Sequence, residues 1–455
     1  MIGSEKKEVK DNMGKLGVFE TAKEAVAAAA TAQKELVKNY TLEDRDRFIA
    51  QIRAEVGPRI EEFAIMEFEE TGYGRVEDKI AKDTGAVYAG QGTEAIPTGV
   101  IASDKGLTVE YYAPYGVIGA VTPVTNPVAT IVANTISVMA GGNTVVFNAH
   151  PGSVKCATEA CHAVNQAIIN AGGPENICTM PAIPTMETLD DIINSPEVSL
   201  LVGTGGPGMV KTLMASGKKV IAAGPGNPPS IIDSSCNVKK AAAGVAASAT
   251  FDNNLLCIAE KEIFVVADVY DEFIKELEAL GNYKMTREEA DKVTAIGIVE
   301  LPGGGYATNK KYVGKHAKVI LADAGIEVEG DPRMAFFEAE NDDLYVQVEQ
   351  MQPIIPVVKC KDFEEAMGRA VAAEHNCKHS ASIWSNDIEH VTAFGKVINT
   401  TVFVQNGGTM AAFGLGGSGT NSPTIATPTG EGVTGPQSFL RRRRFCMAGG
   451  GNYLL

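Results

Sequence analysis

The sequence predicts an α/β protein made of two doubly wound domains. Three observations carry this reading. From residue 117, continuous apolar stretches alternate with helical ones; the same rhythm restarts near residue 233; and 455 residues suit two or three domains at roughly 150 residues each. Apolar strands joined by helices indicate a parallel sheet covered on both faces.

Residues 20–39, "ETAKEAVAAAATAQKELVKN", are Ala-rich with charges at helical spacing, and "LEDRDRFIAQIRAEVGPRIEEFAIMEFEETG" keeps the same period, so two or three helices open the chain. A hairpin follows in "GVIASDKGLTVEYYAPYG", with Asp104, Lys105 and Gly106 at its tip. "VIGAVTP", "NTVVFNAH", "ICTMPA", "VSLLVGT" and "KKVIAAG" then read as five strands with helices between them. Ser153 stands where it would cap one of those helices. After "NPPSIID" come a helix in "VKKAAAGVAASATF", the strand "EIFVVAD", a helix near "YDEFIKELEALG", and then "QPIIPVVKC", "FEEAMGRAVAAE", "SASIWSND" and "TTVFVQN". The tail from Gly407 is rich in Gly, Ser, Thr and Pro. It reads as a surface loop too loose for a core, ending in a strand around "QSFLRRRRFCMAG".

Composition narrows the function. A net charge of −16 repels nucleic acid and anionic membrane, which leaves small molecules as ligands. The run Arg441 to Arg444 then reads as a surface or interface cluster. No apolar run approaches the roughly 18 residues of a bilayer span, and the N-terminal stretch has neither a secretory nor a transit pattern. Eight cysteines without a CxxC pair indicate reduced thiols in a cytosol, with no metal quartet.

In an open parallel sheet, ligands bind beyond the carboxyl ends of the strands. "VGTGGPGMVK" supplies a strand, then Gly203, Thr204, Gly205, Gly206 and Gly208, then a helix, which suits a phosphate at a helix N-terminus. The next acidic residue is Asp233, so the standard dinucleotide fingerprint lacks its ribose-binding acid; a nucleotide site survives on position in the sheet, with a merely structural strand-to-helix turn as the equal alternative for this loop. Cys257, in "FDNNLLCIAEKEIFVV", is either a small buried hydrophobe or a nucleophile. Asn253 and Asn254 are poor strand formers, and they imply a polar turn that presents the thiol, with the Cys257 N–H facing a developing oxyanion. "TPVTNPV" sets Thr125 and Asn126 on the ligand side of a strand end. His375 and His379 have a metal spacing on a helix, but "SASIW" follows His379 directly, so the helix has ended; His379 is a loop proton carrier, hydrogen-bond donor or structural histidine.

Seven separated motifs, in order along nearly the whole chain, carry a resemblance: "GVFETAKEAVAAAATAQKELV", "TPVTNP", "GTGGPGMVK", "AGPGNPP", "FDNNLLCIAEKEIFVV", "EHNCKHSASIW" and "TPTGEGVTGPQSFLRRRRFCMAG". Together they resemble the CoA-acylating aldehyde dehydrogenases of the propionaldehyde and butyraldehyde type. The resemblance implies an NAD-binding, Rossmann-like domain over residues 1–98 and 114–232, a catalytic domain over 233–408, and an oligomerisation element with C-terminal tail over 99–113 and 409–455. It further implies Cys257 as nucleophile, Glu349 of a Glu-x-x-x-Pro element on the nicotinamide ribose, and Asn148 and His150 along the adenosine half. Asn148 stands where hydrolytic relatives carry a lysine.

Those relatives match their oxyanion asparagine to Thr125 in an ungapped comparison, so Thr125 and Asn126 both remain donors. Their water-activating glutamate falls on Ala223. The implied reaction is oxidation of a two- to four-carbon aldehyde to its acyl-CoA, with NAD as acceptor and coenzyme A as co-substrate, in a site expected to depress the Cys257 thiol. A hydrolytic enzyme giving the free acid and an inert nucleotide-binding or scaffold protein are the alternatives; Ala223 argues against the first and the Cys257 loop against the second. The resemblance also implies a homodimer or dimer of dimers, in the cytoplasm or a bacterial microcompartment with shell or cargo partners. Neither chain end reads as a short amphipathic packaging helix.

Overall fold

The computed structural model describes residues 14–449. The expectation about packaging helices concerns residues 1–14 and 449–455, of which 1–13 and 450–455 fall outside the described residues. The chain divides into two compact units: one comprises the described residues up to Glu70, Lys82–Ala223 and those from Asn421 onward; the other comprises Thr71–Ala81 and Gly224–Thr420.

The first unit contains β1 (Val18–Phe19), β2 (Gly99–Ser103), β3 (Gly106–Pro114), β4 (Val117–Val121), β5 (Thr144–Asn148), β6 (Cys178–Pro181), β7 (Val198–Thr204) and β8 (Lys219–Ala223). The second contains β9 (Pro229–Ile232), β10 (Glu262–Val266), β11 (Tyr283–Lys284), the antiparallel pair β12 (Ile298–Glu300) and β13 (Tyr306–Thr308), β14 (Ala335–Ala339), β15 (Ile354–Cys360), β16 (Ser380–Trp384) and β17 (Val402–Gln405). The first unit is completed by the antiparallel pair β18 (Ile425–Ala426) and β19 (Gly432–Val433), and by β20 (Leu440–Ala448).

In the first unit a parallel six-stranded sheet runs β1-β6-β5-β4-β7-β8. Its five long-range strands are those the apolar pattern predicts; β1 is a two-residue edge too short to show a period. The chain order reverses at β4, so the crevice between the carboxyl ends of β4 and β7 is the topological switch point. The hairpin β2–β3 pairs with β20, which gives the separate three-stranded antiparallel element. Arg441 to Arg444 lie exposed on β20; Arg444 pairs with Glu110, and the Arg443 guanidinium lies over the Tyr111 ring.

The second unit holds a parallel seven-stranded sheet, β11-β14-β15-β10-β9-β16-β17. Its core is one continuous cluster that includes Ile231, Ile263, Phe264, Val357 and Phe394. β9 pairs with β10 and β16, so residues 224–232 pack with this unit, not with the first as a boundary at 232/233 would have it.

Two local expectations are corrected. Ser153 makes no side-chain cap to the helix Val154–Asn170; its hydroxyl turns back to the His150 carbonyl, and Glu70 takes the Lys155 and Cys156 N–H groups at 2.8 Å each. The tail is no loose surface loop throughout: Thr409, Thr424, Ala426 and Phe439 are fully buried. The helix Val76–Tyr88, to which the sequence reading assigns no element, buries Lys79, Lys82 and Asp83. Among the described residues, no helix is long and apolar enough to cross a membrane.

Candidate functional site

Cys257 sits half-buried in a turn between the helix Val238–Ala249 and β10, and the backbone before it is unusual. Asp252, Asn253 and Asn254 all have positive φ, at 50°, 57° and 62°. Asn and Asp tolerate this left-handed region best among residues with a side chain. Each is tied down as well. Asp252 accepts from the Arg75 N–H at 2.8 Å; Asn253 donates to the Gly74 and Gly314 carbonyls; Asn254 donates to the Ala249 and Glu260 carbonyls. The polar turn expected from the two asparagines is thus present, and its role is to fix the chain that leads to the thiol.

The segment after the cysteine carries three fully buried charged residues, Glu260, Lys261 and Glu262. Glu260 accepts from Ser382 at 3.0 Å and from the Thr409 N–H at 2.8 Å. Lys261 donates all three ammonium protons to the turn: to the Asn254 carbonyl at 3.0 Å, the Asn254 side-chain oxygen at 2.6 Å and the Leu256 carbonyl at 3.0 Å. Sequence reasoning missed Lys261, which borders an apolar strand where a charge ordinarily marks solvent.

Glu349 and His379 join this group. The Glu349 carboxylate accepts from the Gly226 N–H at 3.3 Å. His379 is fully buried, its Nδ1 lies 2.8 Å from the Ser380 hydroxyl, and its backbone N–H donates to Glu374. The helix before it ends at Ala373, and His375, Asn376 and Lys378 have positive φ, so His375 and His379 share no helix face. His375 instead contacts the Gln347 carbonyl at 2.9 Å.

The electrostatics correct one expectation. The Cys257 thiol is not depressed but pushed up to about 12, first by burial and then by the Glu349 carboxylate; the Lys261 ammonium and the N–H groups of Cys257 and Ile258 pull the other way. Burial and the Lys261 charge hold His379 down near 4, so its imidazole is neutral at physiological pH. Burial also raises the Glu349 and Glu262 carboxyls.

The other candidates lie in the first unit, at the carboxyl edge of its sheet. Asn126 is the N-cap of the helix Pro127–Ala140, and the Thr125 carbonyl accepts from Lys82 at 3.2 Å. The side-chain oxygens of Thr122 and Asn126 are buried without a partner. Across the switch point, the glycines separate by role. A Cβ on Gly203 would lie 2.3 Å from Leu213, so this glycine serves strand-to-helix packing, whereas Cβ atoms on Gly206 and Gly208 would meet nothing within 4 Å. The helix Pro207–Met214 has no side-chain cap at its start. Open glycines, an uncapped N-terminus and two orphaned oxygens beyond the strand ends fit a bound dinucleotide. Asn148 is committed internally, to the Thr185 carbonyl and the Thr188 hydroxyl, and His150 accepts from the Gly152 N–H. Ala223 ends β8, buried, and its carbonyl accepts from Gly205.

Comparison with known proteins shows the family. The profile of the aldehyde dehydrogenase family matches residues 15–425. The acetylating acetaldehyde dehydrogenase of Escherichia coli (strain K12) is 38% identical over 431 residues, covering 94% of this chain and 92% of that protein. A propionaldehyde dehydrogenase from the fucose utilisation bacterial microcompartment of Clostridium phytofermentans has a structure with a TM-score of 0.92 and 39% identity, covering 95% of this chain and 99% of that one. The propionaldehyde dehydrogenase of Rhodopseudomonas palustris, solved with bound CoA and an acylated cysteine, superposes with a TM-score of 0.91 at 39% identity, covering 95% and 98%.

Proposed function

The chain belongs to the aldehyde dehydrogenase family, and we propose that it converts a short aliphatic aldehyde of the propionaldehyde type to its acyl-CoA, reversibly, through a thioester on Cys257. The observation that carries this reading is a cysteine turn fixed by three left-handed residues, in a chain whose water-activating position is Ala223.

The Cys257 thiolate adds to the aldehyde carbon, and the carbonyl oxygen becomes an oxyanion held by the Cys257 N–H, with Thr125 or Asn126 as side-chain donor. NAD, when bound, supplies the acceptor for the hydride that leaves as the oxyanion collapses. Glu349 orients the nicotinamide ribose, and Thr204, Gly205, Gly206 and Gly208 receive the pyrophosphate. The acyl group then rests on Cys257 until a CoA thiolate displaces it. His379, neutral and buried, polarises that second attack. Asn148 and His150 shape the adenosine side.

Water attacks a thioester usefully only when a positioned base takes its proton, an effect worth about 10²- to 10⁴-fold. Residues 223–228 contain no carboxylate, whereas a CoA thiol ionises readily enough to need little help. That disfavours the hydrolytic alternative. We further propose assembly into a dimer or dimer of dimers through the β2–β3–β20 element, which exposes Val100, Ile101 and Phe445. The microcompartment origin of one structural relative supports cytoplasmic or microcompartment residence with shell or cargo partners.

The test is NADH formation from propionaldehyde with and without CoA. Without CoA, at most about one equivalent per active site should form before the acyl-enzyme stalls, and added CoA should restart turnover. Rapid steady-state release of free propionate without CoA would leave the hydrolytic reading standing.

A further inference from the structure

Lys261 is a fully buried cation, and the reaction outlined above gives it no task. Its backbone is clamped on both sides: its N–H donates to the Pro228 carbonyl at 2.9 Å, and its carbonyl accepts from Gln350 at 2.7 Å. Two of its ammonium bonds hold Asn254, and the third, at 3.0 Å, goes to the Leu256 carbonyl. That carbonyl belongs to the same peptide group as the Cys257 N–H. A cation donating to a carbonyl draws electrons through the amide and makes the N–H on its far side a stronger donor. Among the described residues, no backbone carbonyl accepts the Cys257 N–H, which leaves it for another acceptor.

We propose that Lys261 is a positioning residue for the cysteine step: bound to the Leu256 carbonyl, its ammonium strengthens the Cys257 N–H as donor to the oxyanion that forms when Cys257 attacks. The inference rests on the acyl-transfer reading of Cys257. In the direction easiest to isolate, the Cys257 thiolate bonds to the carbonyl carbon of an acyl-CoA and the carbonyl electron pair moves onto oxygen. The oxyanion returns its pair, the carbon–sulfur bond to CoA breaks, and CoA leaves as a thiolate. Lys261 keeps its proton throughout. The charges facing it are Glu349, Cys257, Glu262 and Glu260, and His379 in turn feels the ammonium. Burial brings Lys261 down to about 8, so its charge is present at neutral pH and lost on mild alkalinisation.

Two reactions of one thiolate separate this role from a structural one. Acylation by propionyl-CoA passes through an oxyanion; alkylation by iodoacetamide needs the same thiolate and forms none. Both are measured as single-turnover rates by mass spectrometry of the Cys257 peptide, on the full chain from pH 6.5 to 9.5. In the unaltered protein, the ratio of acylation to alkylation cancels the thiolate fraction. It should fall several-fold as pH rises through about 8, where the ammonium loses its proton. Lys261→Met should lower acylation at least about tenfold more than alkylation, part of the 10²- to 10³-fold attached to a whole oxyanion donor, and Lys261→Arg should restore much of the difference. A ratio flat with pH in the unaltered protein overturns the proposal even if Lys261→Met does not fold, as does a parallel loss of both reactions in a folded Lys261→Met. No acylation of Cys257 at any pH, with alkylation intact, would instead refute the acyl-transfer reading itself.

Discussion

The Glu349 carboxylate accepts the Gly226 N–H at 3.3 Å, and Gly226 is thereby held against the cysteine turn and the buried imidazole. A Cβ at Gly226 would lie 2.7 Å from His379 Cγ and 2.9 Å from the Cys257 carbonyl oxygen. The constraint here is space, since Gly226 is not among the residues with positive φ. Gly226→Ala must push the cysteine turn or the imidazole aside. Misplacement on the order of 1 Å costs about 10²-fold in rate, and overpacking about 1–3 kcal/mol in stability. Gly206→Ala, where the Cβ meets open space, should keep the wild-type unfolding midpoint. A Gly226→Ala protein with wild-type kcat would show that this contact plays no part.

Asn253 offers a test of the left-handed turn. At φ 57° it pays a backbone cost that alanine would pay without its hydrogen bonds to Gly74, Gly314 and Arg75. Asn253→Gly loses the bonds but not the conformational tolerance. Denaturant titration should therefore rank glycine above alanine by about 1 kcal/mol, with both below asparagine. Equal stability of the two variants would mean that backbone strain contributes nothing here.

The alternation from Val117 to Ala223 was legible because strands buried on both faces are apolar throughout, and hydrophobicity is what a sequence displays most directly. The helix Val76–Tyr88 was not, because Lys79, Lys82 and Asp83 occupy buried positions that a periodicity reading assigns to solvent. Ser153 looked like a cap, and the cap is supplied by Glu70, 85 and 86 positions away, which no local pattern can announce. The cysteine turn was readable from Asn253 and Asn254, since polar residues beside an apolar strand need a reason. Lys261 was hidden by the same logic that exposed them: a lysine bordering a strand ordinarily marks solvent, and only the fold reveals that its three partners lie inside.

His379 predicts a pH effect on stability. Its pKa is near 4 when folded and about 6.5 in an unfolded chain, so on acidification the unfolded state takes up the proton first. The contribution is complete above about 6.5 and lost as pH falls toward 4, with a total near 3 kcal/mol. Between pH 7 and 5 the unaltered protein should lose about 2 kcal/mol more than His379→Asn, which cannot titrate but keeps a donor near Ser380. Identical losses in the two proteins would mean that this imidazole is not held neutral by burial.

Glu349→Gln should separate the two halves of the reaction, in opposite directions. The Glu349 charge is among the influences that raise the Cys257 thiol, second only to burial, so its removal lets the thiolate form more readily. Acylation of Cys257 by propionyl-CoA requires no nicotinamide and should persist or quicken. Hydride transfer requires the ribose to be held so that the reacting carbons meet at about 3–3.5 Å, and its rate should fall about 10²-fold as that geometry loosens. The two are read separately, as a propionyl adduct on the Cys257 peptide by mass spectrometry and as NADH formed from propionaldehyde. A variant that fails at both would identify Glu349 as a structural support of Gly226. One that loses acylation alone would place its carboxylate on the proton of the thiol.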